Sequence, residues 1–497
     1  MTRHTLAYFG SYCLSLLGNG IASVLFPLLV LAKTGDVLAA GIVATATTGV
    51  GAVIGVFAGV VVDRFNRRTV SIISDTLSAL SVAALPVVDA VWGLSLTWFI
   101  ALGVLGAFGD VPGLTARESM LPRLVAHQRA RSGALDRLVG AREALSGVLL
   151  IVGPGLGGLI VWLAGVSSAA MWITAGTSLA AALVTLTLPR DIGTVLASTA
   201  GQGTAGQGTA GQGTAGQGTA GQGTAGQGTA GQGTTVRSAH PVAAADLAQR
   251  RGAAGVVRDL LDGWRFLFGH RLVLGATALS ALSVVALTAL QVVILPAYFT
   301  EVDLPSLTGL VIFGIALGSI IGAGVYTATV GRVSRRTWFI VGVAGSVIGF
   351  LALGSLASPW VVLAATVWIG LTNGPFSALM GVVQIEAIPN GLRGRVLSAQ
   401  NAVMLGAPAI LLTPIAALAS GFGLVAAGLA VGALVTLAML AALVAPAFRS
   451  LDAVSPGDPS APQGSPSAPQ GSLPVAQGSP PTGHPSSPSP QPPTTEV

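Results

Sequence analysis

The chain has 497 residues, of which 52% are hydrophobic and only 8% charged, with a mean hydropathy of +0.78. A soluble chain would carry roughly a quarter of its residues as Asp, Glu, Lys and Arg, so the composition excludes an ordinary globular fold and points to the bilayer. The net charge of +6 would suit nucleic acid, but the basic residues sit in short loops between apolar runs, the arrangement that sets membrane topology.

Twelve apolar runs approach the length of about 20 residues that a crossing needs. They are predicted near 6–31, 38–62, 69–88, 94–116, 143–165, 168–189, 272–298, 306–330, 337–357, 360–381, 399–420 and 423–446. The first is too long for a signal-peptide core and no small-residue cleavage site precedes the second, so it reads as a retained span. Of the 24 Lys and Arg residues, all but Lys33 fall on one side of this arrangement, which predicts both termini and the central loop in the cytoplasm. Trp92, Trp98, Trp162, Trp172, Trp338 and Trp360 lie near span ends, as interfacial anchors do. A single cysteine, Cys13, excludes an internal disulfide.

The turn between spans two and three reads Gly59-Val-Val-Val-Asp63-Arg64-Phe65-Asn66-Arg67-Arg68, and spans eight and nine are joined by an echo of it around Arg332, Arg335 and Arg336. Both copies carry R-x-x-R-R followed by Thr, and Gly331 replaces Asp63 in the second. Two copies in corresponding loops imply two homologous membrane halves. The pattern G-x-x-x-D-R-x-x-R-R resembles the loop between helices two and three of the major facilitator superfamily. The resemblance covers nearly all of residues 5–446. It implies an all-α integral membrane fold of twelve transmembrane helices in two pseudo-symmetric six-helix bundles, around a cavity that opens alternately to either side. It also implies that Asp63, with Arg64, Arg67 and Arg68, forms a charge network that latches one of the two states. A carboxylate beside arginines at a half-buried helix end can pair in one conformation and be exposed in the other.

The expected organisation is an N-terminal bundle over 1–189, a cytoplasmic linker over 190–271, a C-terminal bundle over 272–446 and a tail over 447–497. The linker holds seven copies of Ala-Gly-Gln-Gly-Thr at 200–234, a flexible tether of roughly 30–35 Å root-mean-square span. It ends in an amphipathic stretch, 259–271, that reads as an interfacial helix and is similar to the segment before helix seven in drug- and siderophore-exporting members. The tail is rich in Pro, Ser, Gly and Gln, a composition that predicts disorder.

In span five, Gly153-Pro154-Gly155-Leu156-Gly157-Gly158 resembles the G-P-x-x-G-G motif of antiporter-type exporters, with Leu149 where the usual upstream glycine stands. Proline kinks a helix and small residues admit a close neighbour, so the motif predicts a packing hinge. The stretches after spans four and ten, Leu121-Pro122-Arg123 onward and Ile388-Pro389 onward, echo each other and read as cytoplasmic amphipathic helices bracing the bundles. Glu118 and Glu386 precede these prolines and are expected to pair with loop arginines, Glu118 with Arg67.

Two carboxylates fall inside spans, Asp75 and Asp110, each about 8–9 Å from its cytoplasmic helix end at ~1.5 Å per residue. A carboxylate in lipid is costly unless paired, protonated or wet, which makes both candidates for proton coupling, with pairing to nearby arginines as the alternative. Asn19 stands where related exporters often carry Asp. Gln291, Trp368, Asn373 and Gln384 are the other polar or aromatic residues deep in spans; the cavity candidates are Asn19, Gln291, Trp368 and Asn373. With no Arg or Lys expected at mid-membrane, the cavity suits neutral or cationic amphiphiles over phosphates and carboxylates. A P-loop is lacking, the histidines show no metal-ligand spacing, and no cofactor or enzymatic constellation is expected.

These readings converge on a secondary transporter of the plasma membrane, monomeric as in the superfamily, with protons, lipid and a small amphiphile as partners and no nucleic acid. The exporter-type motifs imply outward transport of a drug, macrolide-like metabolite or siderophore by proton antiport. A proton-coupled nutrient importer keeps the same fold, and a non-transporting scaffold or sensor acting through the tail is the reading from another class.

Overall fold

The computed structural model describes residues 2–127, 134–194, 253–329, 332–389 and 392–448; the Ala-Gly-Gln-Gly-Thr repeats, Gly331, nearly all of the tail and the Asp63 side chain lie outside the described residues. Within them the chain is helical: α1 (Arg3–Thr34), α2 (Val37–Arg64), α3 (Arg67–Val91), α4 (Leu96–His127), α5 (Ala134–Ala164), α6 (Met171–Leu186), α7 (Ala253–Gly269), α8 (Arg271–Glu301), α9 (Thr308–Thr329), α10 (Arg335–Gly354), α11 (Pro359–Ala387), α12 (Arg393–Phe422) and α13 (Leu424–Val444). All except α7 belong to the twelve segments long and apolar enough to cross a membrane among the described residues.

Local chemistry explains the short turns. Gly35 ends α1 at φ +65, its N–H bonding back to the Leu31 carbonyl, and Asp36 then caps α2 through the Leu38 N–H at 2.8 Å. Asn66 caps α3, accepting from the Arg68 and Thr69 N–H groups at 3.1 and 3.4 Å, and Ser334 caps α10 by accepting from the Thr337 N–H at 3.1 Å. Both R-x-x-R-R turns therefore start their next helix by the same device.

Two spans are longer than their hydropathy. α4 continues to His127 and α5 begins at Ala134, whereas the apolar runs at 94–116 and 143–165 predict an end at 116 and a start at 143. The stretch expected as a separate brace after span four continues α4, with Pro122 inside it. Residues such as Arg117, Glu118, Met120, Leu121 and Leu124 favour helix, so nothing but hydropathy changes at residue 117.

The halves repeat each other. In the first, α1 packs on α5 and α6 while α4 packs on α2 and α3; in the second, α8 packs on α12 and α13 while α11 packs on α9 and α10. The ends of the bundles differ in charge, one carrying the described arginine-bearing turns and the other Lys33. The halves meet in the arginine-poor part. There Thr413 of α12 donates to the Thr45 hydroxyl of α2 at 2.7 Å, and Gly158 of α5 faces Gly309 of α9. At the arginine-rich end, Gly140 and Gly147 of α5 and Gly324 of α9 look onto open space.

Candidate functional site

The R-x-x-R-R turn of the first half is bolted to its own bundle. Arg67 donates to the Ser119 carbonyl of α4 at 2.8 Å, Arg68 donates to the Leu186 carbonyl at the end of α6 at 2.6 Å, and the Asn66 amide donates to the Arg190 carbonyl at 3.0 Å. A guanidinium on the last carbonyls of a helix also meets the negative end of its dipole. Arg64 is exposed. In the second half the corresponding Arg335 makes a two-pronged bond with Glu386 of α11, at 2.7 and 3.0 Å, while Arg332 is exposed. Each turn thus ties the second and third spans of its half to the fourth. Glu118 lies 3.8 Å from Arg142 of α5, a residue that also binds Glu143, rather than on Arg67 as expected.

Inside the first bundle lies an ion pair that the span assignments had hidden. Arg117, counted with the loop arginines on hydropathy, is 2% exposed on α4 and bonds to Asp75 of α3. Ser15 of α1 bridges them, accepting from Arg117 at 3.0 Å and donating to Asp75 at 3.4 Å. The Tyr8 hydroxyl donates to the Arg117 carbonyl at 3.1 Å. Three helices are therefore joined through one buried charge pair, and the placing of Arg117 in a loop is corrected.

Asp110 lies farther from the end of its helix than the apolar run implied. It stands fourteen residues past Leu96 and fifteen short of Val125, the limits of its span, which is roughly 21–23 Å from either end at ~1.5 Å per residue. Ser78 of α3 is its hydrogen-bonding neighbour. Gly109 beside it is required for this approach, since a Cβ there would fall 2.7 Å from the Ser74 carbonyl.

The G-P-x-x-G-G motif serves two packings at once. Gly153 presses on Gly20 of α1, where a Cβ would sit 2.8 Å from the Gly20 Cα. One turn on, a Cβ at Gly158 would sit 2.6 Å from the Ser306 carbonyl and 3.2 Å from the Gly309 Cα across the joint. Gly157 backs onto Val24 and Ile21 of α1. Pro154, between the two contacts, lies inside α5.

The cavity candidates scatter. Asn19 is half-buried on α1, between Gly18, which touches Thr177 of α6, and Gly20. Trp368 donates its indole N–H to the Gly345 carbonyl of α10 at 3.0 Å, so its polar atom is spent on helix pairing. Asn373 is buried on α11 and Gln291 on α8. Gln400 of α12 donates to Thr277 of α8 at 2.7 Å and to Gln384 of α11 at 3.2 Å, a neutral network in which only Gln384 was singled out from the sequence. An open groove of about 420 Å³ between α2 and α4 is lined by apolar residues including Val50, Val53, Phe57, Val61, Phe108 and Pro112.

Twelve lipid-length helices in two similar halves, with ionisable groups sunk between them, define a multi-pass membrane transporter. The family model of the Major Facilitator Superfamily matches residues 8–404, and the chain belongs to that superfamily. It is 32% identical over 454 residues to the multidrug efflux pump Tap of Mycolicibacterium fortuitum, covering 88% of this chain and 94% of that one. A Mycobacterium tuberculosis protein of the same name is 30% identical over 454 residues, with 90% and 94% covered. Among solved structures, the nucleoside transporter NupG matches with a TM-score of 0.61 at 12% identity, over 91% of this chain and 99% of that one. A bacterial homologue of ferroportin in an inward-facing state matches with a TM-score of 0.58 at 16% identity, over 88% and 98%. These structures speak to the fold alone.

Proposed function

We propose that the chain exports hydrophobic small molecules across the plasma membrane by alternating access, driven by protons entering in exchange. The identity over 454 residues to proteins named multidrug efflux pumps carries this reading. The arginine bias supports a cytoplasmic arginine-rich end with both termini inside, so the arrangement described here, joined at the arginine-poor end, faces the cytoplasm. The two R-x-x-R-R turns, with Gly59, Asp63 and the arginines in one and Arg332, Arg335 and Arg336 in the other, bias the cytoplasmic gate. Gly153 to Gly158 form the packing hinge.

Of the two proton candidates, Asp110 is favoured. Asp75 is bonded directly to Arg117, whereas Asp110, near the middle of α4, has Ser78 as its hydrogen-bonding neighbour and that ion pair close by. A carboxylate there changes its proton occupancy when its surroundings alternate between dry and wet. The test is accumulation of a panel of amphiphilic dyes and antibiotics in an efflux-deficient bacterium expressing this chain, with and without protonophore. Lower accumulation that protonophore restores is expected, and Asp110→Asn should abolish it while remaining in the membrane. Gradient-driven export by Asp110→Asn at the parental rate would remove this residue from the mechanism.

A further inference from the structure

Helix α8 is not regular where it passes the joint between the halves. From Leu290 to Ile294 it widens into a π turn, in which the Leu295 N–H bonds back five residues to the Leu290 carbonyl. Pro296 accounts for the widening: it has no N–H to offer the Val292 carbonyl, and one extra residue in the turn spreads the ladder past the gap. The turn packs against α1 and α2 of the first half as well as α12 and α13 of its own. Ala289, Val292 and Val293 form an apolar cluster there with Ala44 of α2 and Leu412 and Ala416 of α12.

In that stretch sits Gln291, 2% exposed, with neither its amide oxygen nor its nitrogen hydrogen-bonded to any described group. The contrast is with Gln400, buried in the same half and bonded to two partners. A buried amide normally finds a partner, and one left without bears the cost of its lost solvation. That cost falls only on the arrangement that buries it. We propose that Gln291 is the gate residue of the arginine-poor joint. Closing the joint strips its amide, and opening lets the amide bond to water or to a hydrogen-bonding group on the departing substrate. The residue thereby keeps the closed form from becoming a trap. The transport consequence rests on the alternating-access reading above; the balance of the joint does not.

The test uses the full chain in detergent, with Cys13→Ser and a reporter Leu38→Cys. Leu38 packs half-buried against the same apolar cluster, so a maleimide reaches the reporter faster the more often the joint opens. Gln291→Leu replaces the amide with an apolar side chain of similar size. It should slow labelling about tenfold, equivalent to ~1.4 kcal/mol, raise the melting temperature, and lower kcat for dye efflux more than it changes KM. Gln291→Asn, which keeps an amide, should label like the parent. Labelling by Gln291→Leu as fast as the parent's, or a lower melting temperature, would overturn the proposal, because either means the amide is bonded in the closed joint. Gln291→Met serves in the same comparison should the leucine variant not fold. Failure of the parent to move any dye would count against the exporter reading and leave the labelling and melting results to decide the gate.

Discussion

Removing Arg117 alone should harm the protein more than removing Arg117 and its partner together. The Arg117 and Asp75 side chains are 2% and 6% exposed and pair with each other, with Ser15 between them. Arg117→Met keeps an apolar stem but leaves the carboxylate with one hydroxyl donor. Asp75→Leu leaves a guanidinium in the same position. Breaking one side of a buried pair costs about 3–5 kcal/mol, whereas exchanging both charges for packed apolar groups is often neutral or better. At roughly 2–4 °C per kcal/mol for a unit of 150–250 residues, each single variant should melt about 6–20 °C lower. The double variant should return to within about 1 kcal/mol of the parent. Thermal unfolding of the four purified proteins in one detergent, followed by tryptophan fluorescence, measures the cycle. Additive losses in the double variant, or single losses below about 1 kcal/mol, would mean that the two charges do not depend on each other.

Two further outcomes follow from the packing and the linker. Gly158→Ala puts a methyl between the Ser306 carbonyl and the Gly309 backbone, neither of which can swing aside. Overpacking of this kind costs about 1–3 kcal/mol, here charged to the closed joint, so dye efflux should slow; the control Gly147→Ala, with open space around it, should not. Parental efflux by Gly158→Ala would show that the joint need not close there. Excising residues 200–234 should leave membrane insertion and efflux unchanged, as a flexible tether predicts, and loss of either by immunoblot or dye assay would give the repeats a structural role.

The spans were legible because lipid imposes one rule, a run of about 20 apolar residues, and because the arginines mark the turns. What hydropathy cannot register is a helix that continues after its apolar stretch ends. That is why the apolar run ends at residue 116, why hydropathy puts Arg117 in a loop, and why it puts Asp110 near the end of α4 rather than near the middle of that helix. A usable signal was present: Asp110, Gly113, Arg117, Leu121 and Leu124 recur at helical spacing along α4, and Asp75 in an apolar span called for a cation. The unbonded amide of Gln291 had a weaker trace, Pro296 five residues on. The roles of Asn66 and Ser334 as caps were written in their type and position.

The internal repeat makes the placement of charge informative. Asp75 lies eight residues after Arg67, and eight after Arg335 stands Val343, fully buried. Counting back from Pro122 and Pro389, Arg117 corresponds to Gln384 and Asp110 to Ser377. Where the first half holds two carboxylates and a guanidinium, the second holds an aliphatic, a hydroxyl and an amide, with Gln384 satisfied by Gln400. Two halves that share their helix packing and their arginine turns thus differ at this depth in whether they can carry a charge. Moving a charge through a low-dielectric interior is costly, and a neutral amide network avoids that cost at every stage of a rocking motion. On the exporter reading, the half with the ionisable residues is the one that can answer to the proton gradient. The other half can move past it as a neutral partner, with its polar groups left to bond to one another or to a neutral substrate.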